Sequence, residues 1–326
     1  MKQIIESDSP NRISVREVGM RDGLQSIATL MPSEEKIRWC EYEFSAGVDE
    51  IEVGSFVPPR LLPQMADTAD IVAKARTLAG LTVSVLVPNL KGAERAVAAG
   101  AMKLNYAMSV SESHNWSNVR RQSGESLADF GRIVEFCRNV DPTIRPIVSG
   151  GLATSFGCTI EGEVLEKRVL EFAVRMAELG AEEIVLADTV GYGNPSAVRR
   201  LFGAVRKEIG DLPLAAHFHD TRGLGLANVV AALDAGITRF DASLGGLGGC
   251  PYAPGATGNI VMEDLVFLLE SMGYETMVNL PALLKVRNFL QECLPGESFY
   301  GGLAKCGLPK GFSAVRRSLA TAVPSE

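Results

Sequence analysis

Two of the three histidines in the chain, His217 and His219, lie two residues apart in the segment AHFHDTRG. If this segment is a β-strand, both side chains point to the same side of the sheet, because side chains alternate along a strand. Two imidazoles that converge on one point are well suited to bind a divalent cation. The spacing alone is equally compatible with two core or surface histidines that have ordinary hydrogen-bond partners.

A second group of polar residues lies near the N-terminus, in the segment REVGMRDGLQS. Asp22 could complete a set of metal ligands with the two histidines, and Gly23 allows a sharp turn after it. Arg21 is a permanent cation, which suits it to stabilise an oxyanion that develops during a reaction. The alternative is a surface Arg–Asp pair in a turn, which is common.

A glycine-rich segment, SLGGLGGCPYAPGATGN, follows the last expected strand and contains Cys250 and Asn259. Flexible loops of this composition often close over active sites, and a thiol on such a loop could transfer a proton. The amide oxygen of Asn259 could bind a hard cation. An inert cysteine in a turn is the alternative for Cys250.

Two further carboxylates, Glu52 and Asp188, lie within or at the end of expected strands. A supporting role, in which they orient Arg21 or a histidine, is at least as consistent with their positions as direct catalysis.

These residues need a scaffold that brings distant segments together, and the strand pattern supplies one. Eight short β-rich runs alternate with helical segments, which predicts a TIM (β/α)8 barrel over residues 12–270, with functional residues at the C-terminal ends of the strands. A doubly wound sheet is less favoured because no GxGxxG motif follows the first strand. The predicted strands are Ile13–Gly19, Glu50–Phe56, Thr82–Pro88, Lys103–Met108, Arg145–Gly150, Glu183–Asp188, Leu214–His219 and Arg239–Leu244.

Helix boundaries follow the usual chemistry of caps. Ser33 is expected to cap the first helix, and Asn194 followed by a proline is expected to open a later one. Glycines at 47, 100, 180 and 236 each precede an expected strand and predict helix ends. Residues 271–326 read as extra helices that pack on the barrel, so we expect residues 1–326 to form a single domain.

The composition of the chain excludes some classes of binding partner and indicates a cellular compartment. The formal net charge of −7 provides no basic surface for nucleic acid or anionic membranes. No export signal or long apolar run is present, and the six cysteines form no CxxC pair. We therefore expect a cytoplasmic protein with free thiols, no nucleic-acid or membrane partner and no structural zinc.

The motifs RDGLQ, PNLKG, HFHDT and GLGGCPYAPGATGN together resemble the 3-hydroxy-3-methylglutaryl-CoA (HMG-CoA) lyase family, in order and spacing, from about residue 12 to residue 280. The cysteine-containing loop separates this family from isopropylmalate and homocitrate synthases, which share only the RDG and HxH motifs. The resemblance implies metal-dependent cleavage of a carbon–carbon bond in an acyl-CoA. It also implies a homodimer.

The resemblance further implies roles for individual residues. Asp22, His217, His219 and Asn259 would bind Mg²⁺ or Mn²⁺, with Zn²⁺ or Co²⁺ as alternatives. Arg21 would stabilise the enolate of acetyl-CoA, Cys250 would protonate it, and His217 would accept the hydroxyl proton. Expected supporting or substrate contacts are Gln25, Glu52, Ser55, Asp188 and Glu263, and Lys91 is expected to contact coenzyme A.

One segment departs from the family pattern and leaves the acyl group open. The family commonly carries GCPYEG after the fifth strand, whereas this chain reads GCTIEG, with Thr159 and Ile160 in place of the Pro-Tyr pair. HMG-CoA is the expected substrate, and citramalyl-CoA is an alternative. A Claisen-type synthase and a barrel that binds metal and coenzyme A without catalysis are the remaining alternatives.

Overall fold

The computed structural model describes residues 11–248, 258–312 and 314. Eight parallel strands pair in sequence order and close into a barrel, which confirms the predicted TIM fold. The strands are β1 (Ser14–Glu17), β2 (Glu50–Ser55), β3 (Thr82–Leu86), β4 (Lys103–Ser109), β5 (Ile147–Ala153), β6 (Glu183–Asp188), β7 (Leu214–Phe218) and β8 (Arg239–Ala242).

Helices alternate with these strands and surround the barrel. They are α1 (Ser33–Ser45), α2 (Thr68–Ala75), α3 (Leu90–Ala99), α4 (Glu112–Val119), α5 (Ser123–Arg138), α6 (Glu166–Leu179), α7 (Pro195–Ile209), α8 (Gly225–Asp234) and α9 (Met262–Ser271). Beyond the barrel come α10 (Leu280–Cys293) and α11 (Leu303–Cys306), which confirms additional C-terminal helices. None of the helices described is long and apolar enough to span a membrane.

The predicted strands all occur, and their ends differ by up to three residues. The largest difference is in β5, which starts at Ile147 and continues to Ala153. The prediction for Ser33 was wrong, because Pro32 occupies the cap position and Ser33 is the first helical residue. Its hydroxyl donates instead to Asp67, which satisfies it outside the helix.

Glycine and asparagine act at helix ends as predicted. Asn194 accepts hydrogen bonds from Ser196 N and Ala197 N at the start of α7. Gly100 and Gly180 end α3 and α6 in the left-handed conformation, with φ of 90° and 103°. A residue with a β-carbon would be strained at both positions.

The hydrophobic core lies between the strands and the inner faces of the helices. In α7 the buried residues Val198, Leu201, Phe202 and Val205 recur at helical spacing and face the barrel. Outside the barrel proper, α10 packs against α1 and α9. The backbone NH of Asn279, just before α10, donates to the carbonyl of Ala46 at the end of α1, at 2.7 Å.

A network of buried ion pairs fills the N-terminal end of the barrel interior. Arg16 of β1 contacts Asp241 of β8 at 2.6 Å and Glu183 of β6 at 2.7 Å. Lys103 of β4 lies 2.8 Å from both Glu183 and Glu50 of β2. The network therefore links five strands, and removal of one member would leave a buried charge without its partner.

Candidate metal and active site

The predicted metal ligands meet at the C-terminal mouth of the barrel. Asp22 lies in a π-helical turn, Gly19–Gly23, directly after β1, while His217 lies in β7 and His219 follows it. One ligand atom from each of these three residues lies within 4.8 Å of the others. His219 Nε2 is 3.1 Å from His217 Nε2 and 3.5 Å from Asp22 Oδ2, so the three side chains face a common point.

Asn259 lies at the same point, and its geometry fits a cation. It forms an antiparallel bridge with His219, and its amide nitrogen donates to Asp22 Oδ2 at 2.8 Å. Its amide oxygen is buried and has no hydrogen-bond partner, and neither has His219 Nδ1. Rotation of the amide group by 180° exchanges the positions of its oxygen and nitrogen, and would place the oxygen beside Asp22, where it could bind a metal ion. The set offers a carboxylate, an amide oxygen and two imidazoles, which suits a divalent cation.

Electrostatic interactions keep the carboxylate of Asp22 ionised, which is the form that binds a cation. Burial alone would raise the pKa of Asp22, but the positive charge of Arg21 and the contacts with both imidazoles outweigh it and hold the pKa well below its usual value. Gln25 donates a further hydrogen bond to Asp22 Oδ1 at 2.9 Å. The side chain is therefore an anion of fixed orientation at neutral pH.

The orientation of His217 depends on a residue that sequence reasoning missed. Its Nδ1 lies 3.1 Å from Asp241 Oδ2, and Asp241 also accepts a hydrogen bond from Arg16. Burial would lower the pKa of His217, but Asp241 and Asp22 outweigh it and raise the pKa. A carboxylate behind a ligating histidine fixes the ring, here with Nε2 toward the mouth. Strand alternation within RFDASL could have suggested Asp241, since it pairs in register with His217.

Two carboxylates hold the side chain of Arg21 in place. Its Nε donates to Glu52 Oε2 at 2.5 Å, and its Nη1 contacts Asp22. The other oxygen of Glu52 accepts a hydrogen bond from Asn105 of β4 at 2.9 Å. Burial would lower the pKa of Arg21, but these two carboxylates raise it, so the guanidinium remains charged.

Three other predicted residues belong to β2, β6 and α3. Ser55 is buried, and its hydroxyl accepts a hydrogen bond from the NH of Val57. The carboxylate of Asp188 accepts hydrogen bonds from the NH groups of residues 192 and 193, and shapes the loop after β6. Lys91 is exposed on the first turn of α3, at the mouth of the barrel. Cys250 lies outside the described residues.

Two buried carboxylates support the turns that carry the site. Glu263 of α9 accepts a hydrogen bond from Gly245 N at 3.0 Å and pairs with Arg287 of α10. Glu17, at the end of β1, accepts hydrogen bonds from Gly19 N and from Leu244 N. Glu17 therefore connects the turn that carries Arg21 to the turn after β8.

Glu17 also has an unusual neighbour. The buried side chain of Glu43, from α1, lies beside Glu17, and neither of its oxygens has a hydrogen-bond donor among the described residues, so a bond between the two carboxyls is the one that would satisfy it. Such a bond requires a proton on one of the two carboxyls. Burial raises the pKa of Glu17 to about 7, and burial together with the charge of Glu17 raises the pKa of Glu43 well above its usual value.

Comparisons with known proteins agree with this geometry. The HMGL-like family model matches residues 12–290. A mitochondrial hydroxymethylglutaryl-CoA lyase from Macaca fascicularis is 40% identical over 285 residues, covering 87% of this chain and 86% of the relative. A hydroxymethylglutaryl-CoA lyase from Bacillus subtilis is 38% identical over 283 residues, covering 87% of this chain and 93% of the relative.

Among solved structures, an HMG-CoA lyase from Acinetobacter baumannii in complex with coenzyme A and 3-methylmalate superposes with a TM-score of 0.88. It is 40% identical in sequence, and the match covers 95% of this chain and 100% of that one. The chain therefore belongs to the HMGL-like family and is a carbon–carbon lyase.

Proposed function

We propose that this enzyme cleaves 3-hydroxy-3-methylglutaryl-CoA to acetyl-CoA and acetoacetate with the help of a divalent cation. The observation that carries the proposal is the convergence of Asp22, His217, His219 and Asn259 on one point beside Arg21. The similarity to enzymes named hydroxymethylglutaryl-CoA lyase, at 38–40% identity over 87% of the chain, supports this choice of substrate.

The reaction is a reverse Claisen cleavage. The substrate carries a tertiary hydroxyl on C3, β to the thioester, and loss of the hydroxyl proton turns C3 into a ketone as the C2–C3 bond breaks. The bonding electrons move to the thioester as an enolate, which gains a proton to become acetyl-CoA. A divalent cation bound by the four ligands would lower the pKa of the hydroxyl.

Arg21 is positioned to stabilise the second charge of the reaction. Glu52 and Asp22 fix its guanidinium from two sides, so that little reorganisation is needed when the enolate oxygen becomes negative. Its charge is permanent, because its pKa is raised. We assign Arg21 to the enolate oxygen.

The proton acceptor is constrained by the geometry of His217. Its Nδ1 faces Asp241 and its Nε2 faces Asp22 and His219. The two roles proposed for His217, metal ligand and proton acceptor, therefore compete for Nε2. Cys250 is our proposed proton donor to the enolate carbon.

The identity of the cation follows from the donors. A carboxylate and an amide oxygen favour Mg²⁺ or Mn²⁺, whereas two imidazoles also suit Zn²⁺ or Co²⁺. We propose Mg²⁺ or Mn²⁺, and a titration of the metal-free protein with each ion would rank them.

The decisive experiment is a product analysis of the purified chain with Mg²⁺. HMG-CoA should give acetyl-CoA and acetoacetate in equal amounts by mass spectrometry. Citramalyl-CoA is the necessary comparison because Thr159 and Ile160 replace the usual Pro-Tyr pair and Ile160 is exposed. Release of pyruvate from citramalyl-CoA, with no cleavage of HMG-CoA, would overturn the proposed substrate.

Substitution of Cys250 tests the proton donor. Cys250→Ala should bind metal and substrate almost normally and cleave far more slowly, and Cys250→Ser should restore little, because a hydroxyl is a much weaker acid than a thiol. Cys40→Ala is the matched control, because Cys40 is buried and its thiol pKa is raised well above the usual value, mainly by burial. Wild-type turnover by Cys250→Ala would remove the thiol from the mechanism.

The remaining proposals concern the contact with coenzyme A, the oligomeric state and the cellular compartment. We propose that Lys91 contacts the coenzyme A part of the substrate, and Lys91→Ala should raise KM with little change in kcat. We also propose a cytoplasmic homodimer. Light scattering would test the dimer, and cell fractionation would test the compartment, for which the curated relatives include both mitochondrial and cytoplasmic enzymes.

A further inference from the structure

The interior of the barrel is open on one side. TIM barrels usually fill their interior with layers of bulky branched side chains. Here Ala107, in the middle of β4, is exposed although β4 is flanked on both sides by other strands. Solvent therefore reaches deep into the barrel at this strand.

Strand register shows that Ala107 faces the interior. His217 faces the site and pairs in register with Ala187 of β6. Two residues earlier, Val185 shares that face and pairs with Gly151 of β5, which in turn pairs with Ala107. In parallel strands, residues in register share a face of the sheet. The amide of Asn105, also on this face, reaches past β3 to Glu52 of β2 at 2.9 Å.

Toward the mouth, the inward positions of β3 to β6 carry small or apolar residues on either side of the polar Asn105, and we call these small and apolar residues the apolar wall. All of its members are partly or fully exposed within the strands. They are Leu86, Ala107, Gly151, Ala153, Val185 and Ala187. The wall adjoins His217 at Ala187 and otherwise lies across the barrel from β1 and β8.

Gly151 is not required by the backbone. Its φ is outside the left-handed region, so another residue would adopt the same conformation. A β-carbon built there would be 3.4 Å from its nearest neighbour, the carbonyl oxygen of Tyr106, which is an ordinary contact. At Gly150, by contrast, the β-carbon would lie 2.7 Å from Met176 Sδ. Gly151 therefore leaves space in the barrel that its surroundings would allow a side chain to fill.

The wall restricts which part of the substrate can face it. The hydroxyl on C3 must reach the metal ligands, and the thioester must reach Arg21. The carboxylate of the substrate is disfavoured against alanine and valine, because burial of an unpaired charge is costly. The remaining substituent on C3 is the alkyl group, and the exposed Ala107 and the absent side chain at Gly151 leave room for one longer than methyl.

From this geometry we propose that the enzyme accepts 3-hydroxyglutaryl-CoA thioesters with an alkyl group longer than methyl on C3. The inference rests on the proposed lyase activity and defines its substrate class. The reaction is the same: the C2–C3 bond breaks, the hydroxyl proton is lost, and C2 gains a proton. The products are acetyl-CoA and a 3-oxo acid that keeps the longer alkyl chain.

The test compares HMG-CoA with its 3-ethyl and 3-propyl analogues, using the purified full chain with Mg²⁺ and measuring acetyl-CoA release. For the 3-propyl analogue, kcat/KM should equal or exceed that for HMG-CoA. In a pocket that fits only a methyl group, each extra methylene would lower it about 10-fold or more. Such a decrease overturns the inference and leaves HMG-CoA cleavage intact. If none of the three is cleaved, the proposed lyase substrate itself fails, and the inference fails with it.

A substitution that fills the space in front of the wall tests where the alkyl group binds. Ala107→Leu should lower kcat/KM for the 3-propyl analogue at least about 10-fold more than for HMG-CoA, because the added side chain occupies the space that the propyl group needs. Ala73→Leu, the same change at an exposed position of α2, is the matched control and should leave the ratio unchanged. Equal losses for both substrates in Ala107→Leu would contradict the assignment of the alkyl group to this wall. If Ala107→Leu does not fold, the wild-type comparison decides alone.

Discussion

The two halves of the barrel mouth differ in how their inward side chains are held. On β1, β2, β7 and β8 the polar groups are fixed by charged partners, such as Arg21 between Glu52 and Asp22. On β3 to β6 the wall consists of side chains such as Ala107 and Val185, with open space in front of them. The polar half is organised before substrate binds, which is what stabilisation of developing charge requires. The apolar half has only to offer space of the right size.

This difference predicts that the polar half tolerates little change, and the largest effect is expected at a metal ligand. His219→Ala should retain the fold, because a buried imidazole is replaced by a smaller apolar group. Metal affinity should fall by more than the ~100-fold that loss of an outer contact can cost, and turnover should nearly vanish. Calorimetric titration with Mn²⁺ and circular dichroism would measure affinity and fold. Full activity of the wild-type chain in excess chelator would contradict a metal-dependent site.

The next effect concerns Arg21. Arg21→Met keeps an unbranched side chain and removes the charge, so kcat should fall about 100- to 1,000-fold, the scale of a lost oxyanion donor. The matched control is Arg60→Met, at an exposed position in the loop after β2. Steady-state kinetics separate the roles, since a change in KM alone would mean that Arg21 only anchors the substrate.

The free energy of unfolding should depend on pH because of the Glu17–Glu43 pair, which supports the polar half. The pKa of Glu17 is raised from 4.5 to about 7, and that of Glu43 is also raised, so the folded protein keeps a proton that the unfolded chain releases. The stability of the folded state should therefore fall as pH rises from about 4.5 to 7, by about 1.4 kcal/mol per pH unit for one proton. Glu263 faces the pair as a third carboxylate, and the NH groups of Gly19 and Leu244 face it as donors.

Glu43→Gln tests this pair directly. An amide donates to Glu17 at any pH, so the variant should gain stability relative to wild type between pH 5 and pH 8. Urea unfolding at both pH values would measure the difference. Glu41→Gln, at an exposed position of the same helix, is the control. An unchanged difference between wild type and Glu43→Gln at the two pH values would mean that no proton is shared.

The smallest effect is expected in the apolar half. Gly151→Ala should raise the free energy of unfolding by about 0.4 to 1 kcal/mol, because alanine restricts the unfolded chain and meets no close contact in the fold. Gly150→Ala should lower it, since its β-carbon would approach Met176 at 2.7 Å. Thermal unfolding of both variants would check this contrast, which fails if the two changes have the same sign.

Sequence reasoning predicted the barrel and the convergence of Asp22, His217 and His219, and it did so largely from local patterns. The alternation in AHFHDT places His217 and His219 on one face, and the eight β-rich runs are separated by clear helix ends. Asp241 was missed because strand alternation in RFDASL shows only that it can face the barrel interior, whereas its contact with His217 depends on the register between β7 and β8. Ala107 and Gly151 were missed for another reason. Small residues are common in strands, and only the structure shows that these two border open space.

The ion network at the base of the barrel has a consequence for how such an enzyme changes over generations. Arg16 and Lys103 pair with three carboxylates inside the barrel, so a single substitution there leaves a buried charge without its partner and with the full cost of its desolvation. Two or more compensating changes would have to arise together. Single substitutions on the wall alter volume and leave no buried charge unpaired, so we expect most of them to keep the fold. Descendants of this sequence should therefore diversify in the acids they release long before they diversify in the bond they break.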